Sequence, residues 1–149
     1  MKVRSTGSGS GMFLTELLMA ILIFAVASAI CLRVFVAANH VSAESSRLNH
    51  AVASAQNCAE CFKATGGSLP ETAALLGGAF TGTRAIEVRF DSGWQLLPPG
   101  EPSFCYVAAI VRMPEKAGSI DAQVTVCDIA GTKIFTIPVS SFQDQEAEL

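Results

Sequence analysis

The hydrophobic pattern changes character twice along the chain. Residues 17–38 read LLMAILIFAVASAICLRVFVAA, an apolar run broken by one charge, Arg33. A helix needs about 20 apolar residues to cross a bilayer core, and this run is long enough. Beyond Ala38 the pattern turns amphipathic: Leu48, Val52, Ala55, Ala59 and Phe62 recur at spacings of four and three, a stripe on one helical face. Glu44, Arg47, Gln56, Glu60 and Lys63 fall mostly off that stripe. No Pro or Gly interrupts residues 12–65, and Gly66-Gly67 supplies a stop. One helix over about 13–64 is predicted, its first half wholly apolar and its second half carrying a stripe that needs a cover.

Residues 66–83 mix turn formers with a short ETAALL segment able to make one or two helical turns, and read as a connecting loop. From Arg84 the period becomes two. Ile86, Val88 and Phe90 alternate with Glu87 and Arg89, Asp91-Ser92-Gly93 turns, and Trp94-Gln95-Leu96 returns as a hairpin. A Pro-rich loop at 98–102 leads to strands at 103–113, 120–127 and 133–139, with Pro138 marking an edge or a strand end. A turn centred on Lys116 sets Tyr106, Ala108 and Ile110 opposite Val126, Val124 and Ala122, an apolar face to pack on the helix. The same register puts Cys105 opposite Cys127 and predicts a cross-strand disulfide. The fold class is therefore α+β: a long N-terminal helix, half transmembrane and half amphipathic, packed on a small antiparallel sheet of about four strands.

Composition narrows the chemistry. A chain of 149 residues holds one core plus one extra segment, here a soluble domain and an anchor. The net charge is −3 and the ten cations are scattered, so no nucleic-acid surface is indicated. Five cysteines leave at least one unpaired. Cys31 lies in the apolar run and reads as a small apolar residue. Cys58 and Cys61 form a CxxC, but near the end of a long helix rather than at a helix N-terminus that would lower a thiol pKa. A zinc site lacks two further ligands, since His40 and His50 are ten residues apart on the same helix. Cys58 is expected to be buried and Cys61 at the border of the stripe. No nucleophile elbow, phosphate loop or histidine cluster appears, so neither an enzyme nor a cofactor or metal site is expected. The acidic segment 144–148 reads as a solvated end.

The N-terminus is the most informative segment. MKVRSTGSGSG carries Lys2 and Arg4 and no anion, which places it on the cytoplasmic side. An ordinary secretory signal would end its apolar stretch at a small-residue cleavage site, and AVASA at 25–29 has that form. The apolar run instead continues to Ala38, a carboxylate stands at its head, and a Gly directly precedes it. Gly11-Met12-Phe13-Leu14-Thr15-Glu16 resembles the cleavage and methylation site of type IV pilins and type II secretion pseudopilins: a short basic leader, Gly before the cut, an apolar first mature residue and Glu at the fifth mature position.

The resemblance implies a leader over 1–11, cleavage between Gly11 and Met12 by a prepilin peptidase, N-methylation of Met12, and Glu16 as the assembly carboxylate. The following parts would be the transmembrane half at 12–38, the amphipathic half at 39–65, the connecting loop at 66–83 and the sheet region at 84–149. Residues 39–149 would together form the globular domain. Implied partners are that peptidase, sister pilin or pseudopilin subunits, an assembly platform membrane protein with its ATPase, and membrane lipid. The place would be the cytoplasmic membrane, with the C-terminal domain outside and a cell-surface filament after assembly. The globular part shows no calcium-ligand loop and no C-terminal disulfide loop such as some pilins carry, which leaves major pilin, minor pilin and pseudopilin open, the reading leaning to the last two. Two other readings stay open: an anchored domain that binds a partner without polymerising, with Glu16 at headgroup level, and a tethered thiol oxidoreductase using Cys58 and Cys61. Arg33 by itself reads as a snorkelling interface residue.

Overall fold

The computed structural model describes residues 8–114 and 118–142, and these divide after Ser45 into two compact units. Residues 1–7 of the expected leader over 1–11, Lys116 at the expected turn, and the acidic segment 144–148 lie outside the described residues. Helix α1 (Ser8–Ala64) begins earlier than its apolar pattern requires. Ser and Gly are weak helix formers, but adding residues to an existing helix costs little once the apolar segment has formed it.

The first unit is helix alone, and from Gly11 to Ser46 every residue is exposed. The stretch from Gly11 contains a window long and apolar enough to cross a membrane, with none of that window buried. Exposed Phe13, Leu17, Leu22, Phe24, Ile30 and Phe35 need an apolar partner that the chain itself does not provide.

The second unit is the α+β body. The end of α1 is fixed by Gly66 and Gly67: Gly67 N–H donates to the Phe62 carbonyl at 2.9 Å and Gly66 N–H to Lys63 at 3.0 Å. This pair of bonds, with Gly66 at φ 61, is the Schellman closure expected of a Gly-terminated helix. Gly67 is also steric, because a Cβ there would stand 2.9 Å from Ile120 Cγ2. Below the closure, Thr65 and Thr72 share a 2.7 Å hydroxyl contact, and Thr72 donates to the Ser68 carbonyl at 2.7 Å. Thr72 is thereby satisfied although wholly buried.

The segment expected to be a loop holds two elements. Helix α2 (Leu69–Leu76) starts with Pro70 in its first turn and ends at Gly77, φ 62, whose N–H bonds the Ala73 carbonyl. A two-residue strand β1 (Ala79–Phe80) follows. Strands β2 (Ala85–Phe90), β3 (Tyr106–Arg112), β4 (Ser119–Asp128) and β5 (Lys133–Phe142) complete an antiparallel sheet in the order β1-β2-β3-β4-β5. Pro138 lies on β5, an edge strand, where its missing N–H costs no ladder bond on the open side.

One face of this sheet forms the core. Ile86, Val88, Ala108, Ile110, Ala122, Val124 and Val126 are buried together with Ala51, Ala55, Cys58, Ala59 and Phe62 of α1 and with Leu69, Ala73 and Leu76 of α2. The helical stripe differs from the sequence expectation. Ala51 and Ala55 are fully buried, whereas Leu48 is 44% exposed and Val52 only half-buried. Ala51 of α1 is covered by the sheet and Leu48 is not, so the buried face is rotated from the one that the larger side chains mark.

The central register also differs. Tyr106 pairs with Asp128, Ala108 with Val126 and Ile110 with Val124, two residues from the expected alignment. An even shift preserves which side chains face the core, so the apolar face is the expected one. The cysteine pairing is not preserved: Cys127 pairs with Val107, Cys105 lies just before β3, and both thiols are free. The predicted Cys105–Cys127 disulfide is thus absent from this arrangement, because the β3–β4 connection is longer than a turn centred on Lys116 requires. The return strand at 94–96 is likewise reduced to one bridge, Phe90 with Leu96, and the long partner of β2 is β3.

Candidate functional site

The residues singled out by sequence sit at the start of the exposed apolar helix. Gly11 lies within α1 with open space where a side chain would be, and Met12 is 74% exposed. Thr15 Oγ1 donates to the Met12 carbonyl at 2.8 Å, one turn back along the helix. Glu16 follows on the exposed surface of the same helix. Gly11, Met12 and Glu16 therefore share about one and a half turns of helix. Met12 and Glu16 are both exposed, as are the residues between them. What they present is an exposed stretch of backbone and one carboxylate at the head of an exposed apolar surface. A carboxylate within a bilayer core costs about 2.5–3.5 kcal/mol on insertion scales, which makes an unpaired Glu16 unfavourable there.

The CxxC lies in the other unit and has the opposite character. Cys58 is buried in the core, and burial, reinforced by Cys61 beside it, pushes its thiol up from 9.0 to about 12. Cys61 is half-buried, and its Sγ contacts Asn57 Oδ1 at 3.8 Å. Both cysteines border a small apolar cavity of about 180 Å3 closed by Leu75, Leu76, Val88 and Leu96. A thiol held neutral by burial is a poor nucleophile, as its sequence position implied.

Sequence reasoning missed the aromatic cluster. Trp94 stacks on Tyr106, centroids 4.0 Å apart and planes 9° apart, and on His50 of α1 at 5.6 Å and 16°. Phe90 tilts against it at 6.0 Å. Trp94 reaches this place from the left-handed backbone region, φ 61, held by an Asp91 turn. Asp91 Oδ1 accepts from Gly93 N–H and Gln95 N–H, each at 2.8 Å. Asp-x-Gly marks the turn in sequence, but which rings it brings together depends on long-range packing. The stack, and the Arg47–Asp128 ion pair at 3.9 Å, fasten α1 to the sheet beside the core. Arg89 does the same for the Pro-rich loop: its guanidinium donates to the Glu101 carbonyl at 3.0 Å and lies 4.7 Å over the Phe104 ring.

The candidate residues Gly11, Met12 and Glu16 lie on the exposed helix of the first unit, and the CxxC and the ring stack belong to the second. Comparison with protein-family models, with curated proteins and with solved structures finds no match.

Proposed function

We propose that the chain is a pilin-like structural subunit, cleaved between Gly11 and Met12 by a prepilin peptidase and drawn from the cytoplasmic membrane into a filament of the type IV pilus or type II secretion pseudopilus kind. Within that group the reading favours a minor pilin or pseudopilin. The observation that carries it is the placement of one carboxylate, Glu16, five residues beyond Gly11 at the head of a wholly exposed apolar helix. An exposed apolar surface of this length is stable only against lipid or against other helices of the same kind. After cleavage the Met12 α-ammonium becomes a natural counter-charge for Glu16 of a neighbour, turning two unfavourable intramembrane charges into a selective contact. The protein's work is then to be processed and to pack, with the peptidase, sister subunits and the assembly platform and ATPase as partners.

N-terminal mass spectrometry of the mature protein tests the reading. An N-methylated Met12 terminus is expected; an intact Met1, or cleavage near Ala29, would overturn it. Gly11→Val should block processing. Glu16→Ala should leave cleavage intact and lower filament incorporation, and unchanged incorporation would remove Glu16 from assembly.

A further inference from the structure

Between residues 12 and 39 the helix carries two charges of opposite sign, Glu16 and Arg33. Both are exposed, and every residue between them is exposed as well. They lie 17 residues apart, which is about 25 Å along the axis and about 100° around it. They cannot meet within one copy. Ionisable groups in a hydrocarbon environment are costly and pair with one another. In the membrane Arg33 reaches headgroups from its end of the span, but a helix withdrawn into a filament has no headgroup layer to reach.

We infer that the apolar helix is self-complementary: a second copy of this chain docks parallel to the first, displaced about 25 Å along the helix axis, with Glu16 of one copy against Arg33 of the other. The inference rests on the polymerisation reading above and supplies its register. Lys2 and Arg4 orient every copy the same way in the membrane, so the helices are parallel. A two-fold axis relating parallel helices permits no displacement along them, so the contact is heterologous. Each pairing leaves one Arg33 and one Glu16 unmatched at its two ends, and those recruit the next copies. Such a contact propagates rather than closing into a dimer. It is distinct from pairing with the Met12 ammonium, because a carboxylate has two oxygens and accepts from both donors.

Cross-linking of filaments assembled by cells producing the full chain tests the displacement. Ala20 and Ala37 lie one turn beyond Glu16 and Arg33 and have the same 17-residue separation. In a Cys31→Ser background, Ala20→Cys combined with Ala37→Cys should give an oxidation-dependent ladder of dimers and higher species, while either substitution alone gives none. Adding Arg33→Leu should lower the ladder at least threefold, and Arg33→Lys should retain it. A smaller loss with Arg33→Leu overturns the pairing. A ladder from Ala20→Cys with Ala27→Cys but none from the Ala20/Ala37 pair, in protein whose N-terminus is Met12, overturns the displacement and leaves polymerisation standing. No ladder from either pair, with Met1 intact, overturns both.

Discussion

Native alkylation of the CxxC reads directly on whether this protein has thiol chemistry. Cys58 is 1% exposed, and its thiol is pushed from 9.0 to about 12, first by burial and then by Cys61. Three pH units leave about a thousandth of the ordinary thiolate population at any pH below 9, and reaction also requires local opening of the helix–sheet contact. With iodoacetamide at pH 8, followed by peptide mass spectrometry, Cys58 in the native full chain should label about a thousandfold more slowly than in the denatured chain. Labelling within tenfold of the denatured rate would refute the burial argument and reopen the oxidoreductase reading. The same shift has a stability consequence. The folded state keeps the thiol neutral while the unfolded chain ionises near 9, so this contribution is complete below pH 9. It is lost between pH 9 and 12, amounting to about 4 kcal/mol at the upper end.

Other predictions concern the body and use the single Trp94, held in its ring stack, as the fluorescence reporter of urea unfolding. Gly66 and Gly67 both have positive φ, but only at Gly67 does a Cβ meet a side chain, Ile120 at 2.9 Å. Gly66→Ala should cost about 1 kcal/mol from the backbone alone, and Gly67→Ala about 2–4 kcal/mol once the displaced Ile120 is added; equal costs would contradict the close approach. Phe62→Ala should lose about 3–5 kcal/mol, since Phe62 is fully buried. Leu48→Ala should lose under about 1 kcal/mol, as expected of an exposed position. Comparable losses at the two sites would return the stripe to its sequence-expected face.

Local and periodic information was legible in the sequence. The unbroken helix followed from the absence of Pro and Gly over 12–65, its stop from Gly66-Gly67, the inward face of β4 from strict alternation, and that of β3 from its pairing with β4. The spacing of Gly11, Met12 and Glu16 is likewise a property of the sequence alone, and the processing and assembly roles proposed for them rest on it. What was not legible depended on distances between segments far apart in sequence. A two-residue shift in β3–β4 pairing leaves every hydrophobic in place, so alternation cannot detect it, yet it separates Cys105 from Cys127.

The sequence by itself determined the helix, its apolar first half, the charges at Glu16 and Arg33, and the parity of the strands, because each depends on neighbours a few bonds away. Only the tertiary structure decided which face of α1 is covered, since Ala51 is fully buried while Leu48 is 44% exposed. It alone brought His50, Trp94 and Tyr106 into one stack and set how far the Cys58 thiol is pushed up, because ring contacts and desolvation arise from atoms that meet only when the sheet closes over the helix.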